Sequence, residues 1–211
     1  FTAILKAEGI TVVHVVSSSK FAQKAEDAGC DAVVAEGFEA GGHNGREETT
    51  SLVLIPAVKD KVSIPVIAAG GIATGRQMFA AMVLGASAVQ IGSRFVASNE
   101  ASCHNNFKQA IIESSEGDTE LSLKQLTPVR LLKNDFYKQV KNAEENNATK
   151  DELQQLLGRG RAKHGMFEGD LEKGELEIGQ VSCLIKNVIS AADIVNEIWD
   201  EYTHILNHFR K

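Results

Sequence analysis

"IPVIAAGGIATGRQMFAAMVLGASAVQIGSRF", residues 64–95, is the stretch whose reading decides the fold. It begins with an apolar run that ends in Gly70 and Gly71. Thr74 can then cap a helix with Met78, Ala81 and Met82 on one face and Gly85 at its end. A second apolar run follows and ends in Gly92. The runs "IPVIAAGG" (64–71) and "SAVQIG" (87–92) are too continuous for strands with one wet face, so they predict buried parallel strands joined by a right-handed helical crossover.

Working outward toward the N-terminus, "TVVHVV" (11–16) and "DAVVAE" (31–36) carry the same signature. Between them, Ser18 or Ser19 can cap a helix that turns Phe21, Ala25 and Ala28 inward before Gly29 stops it. A loop from Glu36 to Thr50 leads to "SLVLIPAVKD", where Pro56 is tolerable only close to a helix start. Four βα units amount to half of a (β/α)8 barrel of about 250 residues, and an open doubly wound sheet is the alternative. The glycines decide for the barrel, because they fall where strands hand over to loops, the edge at which barrel sites form. The expected fold is therefore α/β: the C-terminal half of a TIM barrel over residues 1–110, then a mostly helical extension over residues 111–211. The opening "FTAILKAEGI" reads like the end of a helix whose start is missing, so a fragment is expected.

Working toward the C-terminus, no strand run is evident. "KQVKNAEENNATKDELQQLLGRG" (138–160) is a polar connection to a short helix that Thr149 can cap and Gly158 can end. "VISAADIVNEIWDEYTHILNHF" (188–209) is an amphipathic helix with Ile189, Ile194, Ile198 and Ile205 at roughly helical spacing.

Composition narrows the function. With 211 residues, 43% hydrophobic and 24% charged, the chain can bury a sizeable core. A net charge of -6 argues against nucleic acid or anionic lipid as partners. Cys30, Cys103 and Cys183 lack metal or disulfide spacing and read as reduced thiols of a cytoplasmic protein, and no metal site is expected. No stretch reaches the roughly 18 consecutive apolar residues of a membrane span.

Two glycine clusters carry the chemistry. Gly70, Gly71 and Gly92 sit at two successive strand ends, where a missing Cβ lets backbone N–H groups reach a phosphate, and the Ser93 hydroxyl can assist. No GxGxxG opens a βαβ unit, so a Rossmann dinucleotide site is not indicated. The loop "AEGFEAGGHNG" (35–45) surrounds His43 with glycines, which lets the imidazole approach a flat ligand as general base or hydrogen-bond donor. Glu36 can hold a ligand hydroxyl or the His43 loop, or make a structural hydrogen bond. His14 alternates along the first strand and can line the barrel interior, while His104, His164, His204 and His208 read as solvated.

"AEGFEAGGHNGREETT", "IPVIAAGGIATGRQ" and "VQIGSRFVAS", with "LTPVRLLKNDF" and "GRGRAKHGMFEGDLEKGELEIGQ" further on, closely resemble the nitronate monooxygenases, also called 2-nitropropane dioxygenases. That superfamily also contains the FMN-dependent type II enoyl-acyl-carrier-protein reductases. The resemblance implies a barrel that binds FMN without a covalent bond, with Gly70, Gly71, Gln90, Ile91, Gly92 and Ser93 around its phosphate. It also implies Gly41 and Gly42 near the flavin and His43 as the catalytic histidine. In nitronate oxidation the flavin accepts electrons from the nitronate and is reoxidised by O2. The runner-up is enoyl thioester reduction with a nicotinamide, which would need a basic surface for an acidic carrier, with Arg130, Lys133, Arg159, Arg161 and Lys163 as candidates. A reading from another class is a non-catalytic flavin- or phosphate-binding half barrel that pairs with a second copy as a homo-oligomer, since its first and last strands would be open edges.

Overall fold

A strand buried on both faces needs apolar side chains at consecutive positions, and the four predicted runs supply them. The structure, a computed structural model, describes residues 1–209. In chain order its elements are α1 (Thr2–Ala7), β1 (Val13–Val16), α2 (Ser19–Asp27), β2 (Ala32–Glu36), β3 (Gly42–His43), α3 (Ser51–Lys59), β4 (Val66–Ala69), α4 (Gly75–Val83) and β5 (Ala88–Gln90). They continue with α5 (Ser93–Val96), α6 (Asn105–Glu113), β6 (Thr119–Ser122), β7 (Val129–Leu132), α7 (Asp135–Glu145), α8 (Lys150–Leu157) and α9 (Ala191–Phe209). The chain divides into two compact units that interleave in sequence. The first holds residues 1–39, 47–91 and those from Glu197 on; the second holds residues 40–46 and 92–196.

In the first unit, β1, β2, β4 and β5 form a parallel sheet in that order. The order follows the chain without the reversal that marks a doubly wound sheet, which sets that alternative aside. The central strands β2 and β4 are almost wholly buried, whereas β1 and β5, at the ends of the sheet, leave Val13 and Val15 about half exposed. Paired residues share a face, so the register places His14, Val16, Val33, Ala35, Val66 and Ala68 together. Val16, Val33, Ala35 and Val66 pack with Ala22 and Ala25 of α2 and with Leu54 and Val58 of α3. This is the helix side of the sheet. His14 therefore stands on the helix face, not on the face that carries Val34, Glu36, Ile67 and Ala69.

The predicted caps form. Ser18 accepts from the Phe21 N–H at 3.3 Å, Thr74 accepts from the Gln77 N–H at 3.3 Å, and Gly29 and Gly85 take φ of 89° and 103° after their helices. Some details differ from expectation. Phe21 and Ala28 are exposed, because a helix over Ser19–Asp27 turns Ala22 and Ala25 inward instead. Pro56 lies in the interior of α3. The carbonyl it strands is that of Leu52, four residues back, on an exposed face that water reaches. Gly75 allows α9 to pack on the start of α4: a Cβ there would stand 2.4 Å from both the Ile198 carbonyl oxygen and the Tyr202 nitrogen. Glu201 of α9 accepts from the Gly75 N–H at 2.7 Å and from Arg76 Nε at 2.8 Å, so a carboxylate closes the N-terminus of α4.

The second unit contains strands that the sequence did not reveal. β3, β7 and β6 form an antiparallel sheet, with β7 in the centre. β7 escaped notice because Arg130 interrupts its apolar pattern, yet Arg130 is only 1% exposed and all four β7 residues are buried. Leu123, Val129, Leu131, Phe136, Val140 and Leu153 make the core beneath this sheet. Thr149 and Glu152 form a reciprocal capping box at α8, and Gly158 ends that helix, as expected. Ile189 lies before α9 and bridges Ser98, while Ile194 and Ile198 are the buried residues of the helix. The three cysteines are free. Among the described residues no helix is long and apolar enough to cross a membrane.

Candidate active site

In the first unit, β4 and β5 are neighbours with Ala69 opposite Gln90, so Gly70 and Gly71 lie beside Gln90 and Ile91 at one edge of the sheet. Gly70 and Gly71 take φ of 87° and 72°. A Cβ on Gly70 would meet the Gly37 carbonyl oxygen at 2.7 Å, so this glycine is required by the close passage of the β2 and β4 strand ends. Ser51, at the start of α3, ties the corner: its hydroxyl donates to Glu39 at 3.0 Å or to the Gly70 carbonyl at 2.9 Å, and its N–H donates to Glu39 at 2.9 Å. Glu36, the last residue of β2, is half-buried, and burial raises its carboxyl above the usual range. No described residue donates to it, so the structural hydrogen bond considered for it does not form.

Gly92 follows Ile91 directly and precedes α5. It is exposed, with φ of -100°, and nothing lies within 4 Å of where its Cβ would be. A backbone left this open can receive a ligand group.

The second unit holds His43 on a strand. Gly42 pairs with Arg130 and His43 with Val129, so the β7 ladder fixes the histidine backbone. Asn44 adds a clamp, donating its side-chain amide to the Ala40 and Gly42 carbonyls at 2.9 and 3.0 Å and its N–H to the Pro128 carbonyl at 2.9 Å. The imidazole is exposed and borders a cavity of about 380 Å³. Leu123, Leu126, Val129 and Leu157 give that cavity an apolar wall, and Glu175 gives it a carboxyl.

The segment 175–179 draws several candidates together. A Cβ on Gly41 would stand 2.5 Å from the Gly179 nitrogen, and the same Gly179 N–H donates to the Ser93 hydroxyl at 3.0 Å. Ser93 keeps its O–H proton to donate elsewhere. A Cβ on Gly42 would stand 2.6 Å from Oε2 of Glu177. Burial pushes the Glu175 carboxyl up to about 7, helped by the charge of Glu177 and opposed by Arg161. Burial also raises Glu177, and His43 pulls it back. Sequence reasoning gave these two glutamates no role. Their spacing of two in "GELEIG", which puts both on one side of an extended chain, was the available signal.

The basic residues considered for a carrier surface are mostly engaged. Arg130 is buried, Lys133 pairs with Glu120 at 3.2 Å, and Lys163 pairs with Glu168 at 3.1 Å. Arg161 donates to the Leu156, Leu157 and Lys173 carbonyls, each at 2.8 Å, and lies 4.4 Å from the Phe136 ring centroid.

A family model described as nitronate monooxygenase matches residues 2–201, which include every candidate residue above. The chain belongs to the nitronate monooxygenase family. Within that family it is 33% identical, over 96% of its own length, to a Staphylococcus saprophyticus protein named "Probable nitronate monooxygenase". It spans 59% of that relative's length. Among solved structures, FabK from Thermotoga maritima matches with a TM-score of 0.92 and 41% identity over 98% of this chain and 65% of that one. A nitroalkane oxidase from Streptomyces ansochromogenes matches with a TM-score of 0.80 and 29% identity over 98% of this chain and 61% of that one.

Proposed function

We propose that this family member is an FMN-dependent oxidoreductase that oxidises alkyl nitronates with O2, and that residues 1–110 are the C-terminal half of its FMN-binding TIM barrel. The observation that carries the reading is the family match over residues 2–201. Gly70, Gly71, Gln90, Ile91, Gly92 and Ser93 would hold the phosphate end of FMN, with Gly41 and Gly42 nearer its ring. Three features support that fit: the open backbone at Gly92, the exposed Gln90 at the end of β5, and the spare proton of Ser93. Glu36, to which no described residue donates, would accept a hydroxyl of the same ligand. When bound, FMN supplies the two-electron redox chemistry.

The chain's own residues supply position and proton handling. With a neutral nitroalkane as substrate, His43 acts as general base: the Cα–H bond breaks, the proton moves to an imidazole nitrogen, and the electron pair remains on the substrate as the nitronate anion. The leucine and valine wall beside His43 suits the alkyl part of such a small molecule. We read the protein as cytoplasmic and as acting without nucleic acid or membrane.

A second reading, reduction of an enoyl thioester by a nicotinamide, is favoured by the higher TM-score with FabK, which we take to represent the enoyl reductase arm of the superfamily. The engagement of four of the five candidate basic side chains argues against a carrier-docking surface among them. The test is to assay the protein with propyl nitronate and O2, and separately with NADH and an enoyl thioester. Turnover of the first pair supports the proposal. Turnover of the second alone replaces it, and flavin binding without turnover of either supports a non-catalytic binder.

A further inference from the structure

The cavity beside His43 is bordered by a second polar group that the chemistry above leaves unused. Glu175 lines the same space of about 380 Å³, within the same unit of the chain, although only 7% of the residue is exposed. No described residue donates a hydrogen bond to its carboxyl. Burying a carboxyl without a partner is costly, and leucine, as on the rest of the wall, would fill the position without that cost. The nearest cation does not relieve it, because Arg161 directs Nε, Nη1 and Nη2 to the carbonyls of Leu157, Lys173 and Leu156. Glu177, two residues on, adds a like charge.

The other elements around the carboxyl bring no charge to it. Gln154 and Leu157 come from α8, Leu123, Leu126 and Thr127 from the connection between β6 and β7, and Gly165 packs behind the Glu175 backbone. His43 of β3 is the remaining titratable group on the cavity. Burial pushes the Glu175 carboxyl up to about 7, so below that pH it presents an O–H group.

We propose that Glu175 binds the substrate: its protonated carboxyl donates a hydrogen bond to an oxygen of a small nitro compound or nitronate whose alkyl part lies on the leucine and valine wall. Its part in the reaction rests on the reading of His43 as the base. As the Cα–H bond breaks and the proton moves to the imidazole, the electron pair spreads onto the nitro oxygens. The Glu175 O–H bond stays intact and stabilises the charge that develops there.

The experiment is an NMR titration with butyrate, a stable anion of the same size and shape as propyl nitronate, read at the amides of Thr127 and Val129. It is done in the His43→Gln variant, so that no imidazole titrates beside the ligand. Affinity should follow the protonated fraction of Glu175 and fall about tenfold or more between about pH 6 and about pH 9. Adding Glu175→Gln, which keeps a donor but has no proton to lose, should hold the affinity at high pH near its low-pH value. Adding Glu175→Leu instead should weaken binding about tenfold relative to glutamine at either pH, the loss of one hydrogen bond to a charged group. An affinity independent of pH in the His43→Gln variant, the same fall after Glu175→Gln, equal binding with leucine and glutamine, or no butyrate binding at any pH would overturn the proposal. The titration needs neither flavin nor turnover, so a protein that passes it yet oxidises no nitronate would refute the proposed function alone.

Discussion

Replacing Glu175 by glutamine should stabilise the protein, by an amount that builds as pH rises from about 4.5 to about 7 and is level above that. Glu175 is 7% exposed, and its carboxyl is pushed from the ordinary 4.5 up to about 7 by burial, with the neighbouring Glu177 adding to the shift. An acid with a raised folded-state value contributes its full stability below the unfolded value near 4.5 and loses it as pH rises through about 7. At about 1.4 kcal/mol per unit, the cost of the charged form grows from under about 1 kcal/mol at pH 5 to about 3 kcal/mol at pH 8. Solvent reaching the carboxyl trims the upper figure to about 2–3 kcal/mol. Glutamine resembles the protonated carboxyl in size and removes the charge. Urea unfolding of the two proteins at both pH values should give near-equal stabilities at pH 5 and a glutamine variant more stable by about 2 kcal/mol at pH 8. Equal differences at the two pH values would show that Glu175 is not held in a desolvating site, and the reasoning would fail.

Other expectations follow from packing and from the site. Gly75→Ala puts a methyl group 2.4 Å from backbone atoms of Ile198 and Tyr202, so it should lower stability by about 1–3 kcal/mol in a thermal melt; a melt unchanged within a degree would contradict the packing of α9 on α4. His43→Ala should keep bound flavin, seen by absorbance, yet lose most turnover of a neutral nitroalkane, and unimpaired turnover would remove the histidine from the mechanism.

The parallel sheet was legible in the sequence because its central strands are buried on both faces, which leaves unbroken apolar runs at 31–36 and 64–71. The antiparallel sheet was not. β6 and β7 are four residues each, and β7 satisfies a buried arginine through tertiary contacts that no local pattern foretells. Gly70 read as a phosphate-binding glycine, and the structure adds a second cause, the close passage of Gly37. His43 was singled out by its glycines, whereas its neighbours Glu175 and Glu177 lie more than 130 positions away and become visible only once β7 has paired with β3. Pro56 was misplaced because the tolerance for its missing N–H depends on the exposure of Leu52, a tertiary property.

The measurement that bears most directly on the central claim is FMN binding by Gly92→Asp. A side chain at residue 92 enters open space at an ordinary φ of -100°, so the substitution should leave the fold intact by circular dichroism. It would also set a negative charge where the phosphate of FMN is proposed to sit. The account predicts that the unsubstituted protein binds FMN, followed by quenching of flavin fluorescence, and that Gly92→Asp binds at least tenfold more weakly. FMN affinity that is the same in both proteins would contradict it.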